Sequence, residues 1–276
     1  MNLSRRSAWI AAAPLLAVVA VAVVLPFAWR SAGFVSDCVR GDDCALRELF
    51  ADGYYARAVF NTAWISALST LAALAIGAAA AAALAAHPAW RRASSVLANL
   101  GANFAGVPLA LALTLLFGVR GVLRQALAAA GVALPFDLDG NGGLFVAYLC
   151  FQVPLATLML AAPVRMLDDG LMDAAATLGA SPALFWRRVG LPLLLPSLVE
   201  VGSLLFANAA AAYATPFALS GTSANVLAVR IAALVSGDIF SNRGLSSLLA
   251  LLMFALLATV IGGASRIAKR LRGRDA

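Results

Sequence analysis

The chain has 276 residues, of which 63% are hydrophobic and 12% charged, with a mean hydropathy of +0.92. A soluble domain carries about a quarter charged residues, and a chain of this size cannot bury so much apolar surface in one core. Lipid must therefore be the solvent for much of it. The net charge of +7 invites a nucleic-acid reading, but the basic residues are scattered between apolar runs and only Lys269 is a lysine. The one dense basic run, Arg-Ile-Ala-Lys-Arg-Leu-Arg-Gly-Arg-Asp-Ala from Arg266, suits an inside-facing anchor beside anionic lipid.

A helix needs about 20 apolar residues to cross a bilayer, and six stretches qualify: 9–29, 59–86, 95–118, 143–164, 193–216 and 244–265. The first has a longer apolar run than a signal-peptide core and no small-residue cleavage site before Arg30, which predicts a retained span. Cys38 and Cys44 follow, flanking Val-Arg-Gly-Asp-Asp in the first connection. Their separation allows a small disulfide ring in an oxidising periplasm, or two free thiols, since spacing alone does not prove a bridge. The second span carries Ile-Gly-Ala-Ala-Ala-Ala-Ala-Ala-Leu-Ala-Ala over 76–86. Small residues at helical spacing let backbones approach closely, although a general enrichment in alanine would give the same string. Cys150, inside the fourth span, is expected to be inert packing.

Loop charge sets an expected orientation. Arg5 and Arg6, Arg91 and Arg92, Arg165, Arg187 and Arg188, and the C-terminal basic run fall on one side. The alternate loops offset their arginines, Arg40, Arg47, Arg57, Arg120, Arg124, Arg230 and Arg243, with acids such as Asp42, Asp43, Asp137 and Asp139. Both termini and residues 165–192 are predicted inside, and 31–55 outside.

Several chemistries are missing. His87 is the only histidine, so no histidine triad or multi-histidine metal site can form. Lys269 sits between Ala268 and Arg270, so the phosphate-binding Gly-x-x-x-x-Gly-Lys-Ser/Thr loop cannot exist here. If ATP drives this protein, another polypeptide hydrolyses it.

Between the fourth and fifth spans, Asp168 or Asp169 is placed to cap a short helix from Leu171, which Gly179 would end. Ser181 would cap a second short helix with Pro182 at its first position, and Pro192 would set the entry to the fifth span. Leu171, Ala175 and Leu178 share one helical face, and Phe185 and Val189 another. Such a hairpin could lie on lipid headgroups or project as a knob toward a partner.

The residue spacing favours the knob. Asp173-Ala174-Ala175 is followed after three residues by Gly179, and after nine more by Val189-x-Leu191-Pro192. This resembles the Glu-Ala-Ala, Gly, Ile-x-Leu-Pro signature of binding-protein-dependent ABC importer permeases, with Asp for Glu and Val for Ile. The motif covers about twenty residues; the span number and order resemble that family over the whole chain.

The resemblance implies an all-α integral membrane protein with six transmembrane helices, the type I importer (MetI-like) transmembrane domain, forming one domain over 1–276 in a bacterial inner membrane. It implies that 165–192 is a cytoplasmic coupling loop, in which Asp173, Ala174, Ala175, Leu178, Gly179, Phe185, Val189, Leu191 and Pro192 engage an ATP-hydrolysing subunit. Leu178 and Phe185 are the expected apolar contacts, while Arg187 and Arg188 would hold the loop at the lipid surface or pair with acids. The implied partners are two ATP-binding cassette subunits, a second permease (the same or a paralogue), and a periplasmic or lipid-anchored solute-binding protein. The resemblance implies that the chain binds no cofactor itself and that ATP and Mg are used by the partner.

The segment from Ala211 to Ile231 contains Thr215-Pro216-x-x-Leu219-x-Gly221, similar to a stretch in the spermidine/putrescine group of permeases, whose members handle polyamines, iron, thiamine, phosphonates and opines. Polar residues in a span are costly and usually functional, so Asn103, Asn208, Tyr213 and Thr215 are candidates for the path, or else interhelical hydrogen bonds. Glu200, the one acid inside a span, is expected to pair with an inside arginine. A gradient-driven secondary transporter would need intramembrane relays that this chain offers only at Glu200. A membrane enzyme would need paired acids, a metal cluster or an activated nucleophile, and a non-transporting scaffold would not need the loop spacing.

Overall fold

In a computed structural model the described residues are 53–87, 89, 91–133, 136–167, 169–236 and 243–273, with isolated pieces between 13 and 49. Cys38, Cys44, Asp168 and most of the expected first span lie outside them. Ten helices follow in chain order: α1 (Tyr54–Ala86), α2 (Arg91–Asn103), α3 (Val107–Phe117), α4 (Val122–Ala129), α5 (Asn141–Arg165), α6 (Asp169–Thr177), α7 (Pro182–Ala210), α8 (Ala214–Ser220), α9 (Leu227–Ser236) and α10 (Arg243–Arg272). No strand occurs among the described residues. Five helical stretches are long and apolar enough to cross a membrane: α1, α3 with α4, α5, α7 and α10. The Ala214–Ser223 and Leu227–Ser236 pair, bent by 68°, would make a sixth.

Small residues set the helix spacing. α1 packs most extensively on α5, and a Cβ on Gly77 would stand 2.5 Å from Ala156 Cβ. The glycine is thus where the two backbones meet, as the small-residue run predicts. Gly101 of α2 likewise faces the Pro154 ring of α5, and Gly202 of α7 faces Leu74 of α1. Buried apolar residues continue these contacts. Ala156, Leu160 and Val164 of α5 meet Leu194, Val201 and Leu205 of α7 toward the 165–192 loop. Toward the other end Leu109, Leu113, Tyr148, Phe151 and Val229 form a second cluster.

The structure corrects three boundaries. The expected span 95–118 is broken at 104–106, where Gly106 takes φ +76°, open to glycine but costly for other residues. There its N–H donates to Thr215 Oγ1 at 3.0 Å, tying the start of α3 to α8. The fifth span ends at Ala210, short of 216, and begins at Pro182. The second short helix of the loop is therefore the first turn of α7 rather than a separate element. Pro192 does not break α7; the turn before it is widened to a π-helix over Trp186–Gly190. Leu191 donates back five residues to Trp186 O, the π-helical spacing.

Candidate functional site

The loop is built from local signals. α6 ends in a left-handed residue, Gly179, with φ +78°. Gly179 N–H donates to Ala176 O at 2.9 Å and Ala180 N–H to Ala175 O at 2.9 Å. Those two bonds are the Schellman arrangement, which satisfies the last carbonyls of a helix. Two residues on, Ser181 Oγ accepts the Leu184 N–H at 3.3 Å, with Pro182 in the first helical position. The chain thus turns sharply out of α6 and enters α7 already capped. No atom lies within 4 Å of where a Gly179 Cβ would point, so the glycine is required by conformation and not by crowding.

The motif residues separate into two environments. Asp173, Ala174 and Leu178 lie exposed on or just after α6, Leu178 at 87%, and Ala175 is half-buried. Met166, Leu171 and Met172 add further exposed apolar surface beside them. Phe185, expected as a surface contact, is buried at 3% and meets Trp186 edge-on at 6.0 Å. It belongs to the interior that seats the loop, because the helix start it occupies is packed on the chain itself. Val189 is half-buried, and Leu191 and Pro192 are exposed on the first turns of α7. Arg187 and Arg188 are exposed on the π-turn.

The expected path residues also divide. Asn208 is exposed on α7, and Tyr213 is exposed and stacked on Phe217 at 5.2 Å. Asn103 is exposed, its amide donating to Asn99 O at 2.9 Å, and Asn99 repeats the pattern on Ser95 O at 2.8 Å. Thr215 is the exception. It is buried at 2% and its hydroxyl accepts from Gly106, so it ties two elements together, the interhelical hydrogen bond that was the alternative reading. Glu200 pairs with Arg272 at 2.7 Å, joining α7 to the basic end of α10, as its place near that end of the span predicts. Cys150 lies on the outer surface of α5, not in its packing.

Sequence reading treated Arg230 as one more loop charge. It is buried at 8%, and its guanidinium donates to Thr222 O at 2.7 Å, Ala224 O at 3.1 Å and Asn225 Oδ1 at 3.1 Å. The Tyr54 ring covers it at 4.7 Å. A buried charge persists only when its donors are met, and here they are spent on the bend between α8 and α9. The signal in the sequence was an arginine alone within the apolar run 226–235. A second buried group was also missed: Ser66, Thr70 and Gln152, on α1 and α5, with Gln152 donating to Leu205 O at 3.3 Å.

No family model matches the chain. Over 219 residues it is 30% identical to the "Probable ABC transporter permease protein y4fN" of Sinorhizobium fredii, covering 79% of this chain and 38% of that protein. Over 116 residues it is 31% identical to the molybdenum transport system permease protein ModB of Mycobacterium tuberculosis, covering 42% of this chain and 43% of that one. The chain therefore spans less than half the length of these curated relatives. Among solved structures, a chain of a bacterial ABC transporter involved in the import of the acidic polysaccharide alginate superposes with a TM-score of 0.72 at 15% identity, covering 93% of each chain. The chain is similar in sequence to ABC transporter permeases, and its fold is similar to that of a chain of an ABC transporter.

Proposed function

We propose that this chain is the membrane-spanning permease subunit of an ATP-driven importer in a bacterial inner membrane, with both termini and the 165–192 loop in the cytoplasm. A second permease supplies the other half of the path. Two ATPase subunits close on ATP, move the loops, and tilt the path so that a loaded binding protein releases its solute from outside. The observation that carries the reading is the loop: the spaced motif sits on a capped helix-turn whose Leu178 is 87% exposed, beside Met166, Leu171 and Met172. An apolar knob left uncovered by its own chain suits a partner groove. The names of its relatives and structural neighbours span molybdenum and alginate, and the Thr-Pro-x-x-Leu-x-Gly segment favours the broad spermidine/putrescine group.

The test combines topology with assembly. A Ser181→Cys variant should label only from the cytoplasmic face, and the chain should co-purify with an ATPase subunit carrying a P-loop. Labelling of that cysteine from outside intact cells would overturn the orientation, and failure to capture any such ATPase would overturn the subunit reading.

A further inference from the structure

At the end of the bundle that carries the loop, α1, α2 and α5 enclose a cavity of about 260 Å³. Its polar lining is Arg92, Ser94 and Ser95 of α2 and Thr157 and Arg165 of α5; the rest is alanine and leucine from α1, α2 and α5. No acid lines it, and among the described residues neither arginine has an ion-pair partner. Arg165 turns its Nε toward Ala161 O at 3.0 Å, which leaves its terminal nitrogens as donors. The Ser95 hydroxyl donates to Arg92 O at 2.9 Å, so two unneutralised guanidinium groups and the Ser94 hydroxyl on one cavity match a phosphate group, whose oxygens take forked donors from arginine.

The cavity does not end there. A second one of about 460 Å³ adjoins it, sharing Leu84, Ser94, Ala98 and Thr157 and extending along Leu97, Val153 and Pro154. Its lining is apolar apart from the two shared hydroxyls. A small soluble oxyanion would use the first cavity and leave the second empty. An amphiphile with an anionic head and a hydrocarbon tail fills both, and basic pockets between membrane helices take such headgroups.

We propose that the groove between α2 and the α1–α5 pair binds an anionic phospholipid, its phosphate on Arg92, Arg165 and Ser94 and an acyl chain along Leu97, Val153 and Pro154. The site stands whether or not the chain transports a solute. Because Arg165 is the last residue of α5, a bound lipid also braces the base of the loop.

The experiment uses the full chain, delipidated in neutral detergent, with thermal melting and native mass spectrometry as readouts. Dioleoylphosphatidylglycerol should raise the melting temperature and persist as an adduct, whereas dioleoylphosphatidylcholine should do so much less and inorganic phosphate hardly at all. Replacing both arginines (Arg92→Gln, Arg165→Gln) should weaken phosphatidylglycerol binding by roughly tenfold or more, while Arg57→Gln with Arg120→Gln, exposed and outside both cavities, should leave it intact. Ala98→Phe keeps the charges and fills the shared wall, so it should also abolish the adduct, and it decides the matter if the arginine variant fails to fold. Phosphate alone matching phosphatidylglycerol would mean a free oxyanion site and refute the lipid. Equal binding of the two lipids, or wild-type binding by either the arginine or the Ala98→Phe variant, would refute it as well.

Discussion

Gly179 is the position where the loop is most open to a clean perturbation. Its φ of +78° lies in the left-handed region, which costs an L residue about 1–2 kcal/mol, and a β-branched one toward the upper end or beyond. Nothing lies within 4 Å of a Cβ there, so no clash adds to that figure and the bundle is untouched. Gly179→Val should therefore favour unturned over turned loop by roughly 30-fold, at about 2 kcal/mol and tenfold per 1.4 kcal/mol. Gly179→Ala should fall between. Gly179→Asn should stay near wild type, because asparagine tolerates this conformation. The assay is ATP hydrolysis in vesicles reconstituted with the ATPase subunit, with and without loaded binding protein. Solute stimulation should fall in the order Gly, Asn, Ala, Val while membrane insertion and melting temperature hold. Normal stimulation in the Val variant, or equal damage from Asn and Val, would refute the turn as the coupling element.

The two apolar loop residues should part company. Leu178→Ala, at an exposed site, should leave melting unchanged and weaken ATPase capture, whereas Phe185→Ala, at a buried one, should cost about 3–5 kcal/mol of stability, measured by unfolding in detergent. Gly77→Val should prevent α1 from seating on α5, since its first carbon would meet Ala156 Cβ at 2.5 Å and Thr157 N at 3.0 Å; a loss of 1–3 kcal/mol or more is expected, seen as aggregation on size-exclusion chromatography. Arg230→Gln should strand Thr222 O and Ala224 O and cost on the order of 3 kcal/mol, with protease cleavage between α8 and α9 as a local readout.

Those outcomes separate what a sequence can say from what it cannot. The loop was legible because its signals are local: Gly179 for a left-handed turn, Ser181 and Pro182 for a helix start, and a fixed spacing to Pro192. A close approach by α1 was legible in the small residues of 76–86, which alanine enrichment alone would also give; that the partner is α5 was not. Hydropathy over 95–118 is continuous and hides the break at 104–106. Local signals mark it: Gly106 at φ +76° and Pro108 in the first turn of α3, with the freed Gly106 N–H taken up by Thr215, 109 residues away. The continuity of α7 was hidden as well. Pro192 marks a helix start by itself, whereas here it follows a π-turn over Trp186–Gly190 that runs directly into the rest of α7.

Burial then reassigns the polar residues of the spans. A hydroxyl or guanidinium inside a bundle must find its partners within it, so Thr215 and Arg230, both buried and both bonded across elements, explain themselves as structure. Asn103 and Asn99 meet part of their need on their own helix, α2, which is not one of the membrane-length stretches. Tyr213 lies beyond the end of α7, and Asn208 is the amide exposed on a spanning helix. Hydrocarbon does not tolerate exposed amides cheaply. They must face water or another protein, just as Leu178 at the loop must face something other than water. An amide uncovered on a spanning helix and an apolar residue uncovered at one end are what the proposed function calls for in one chain, half a path with a second permease beside it and an ATPase below.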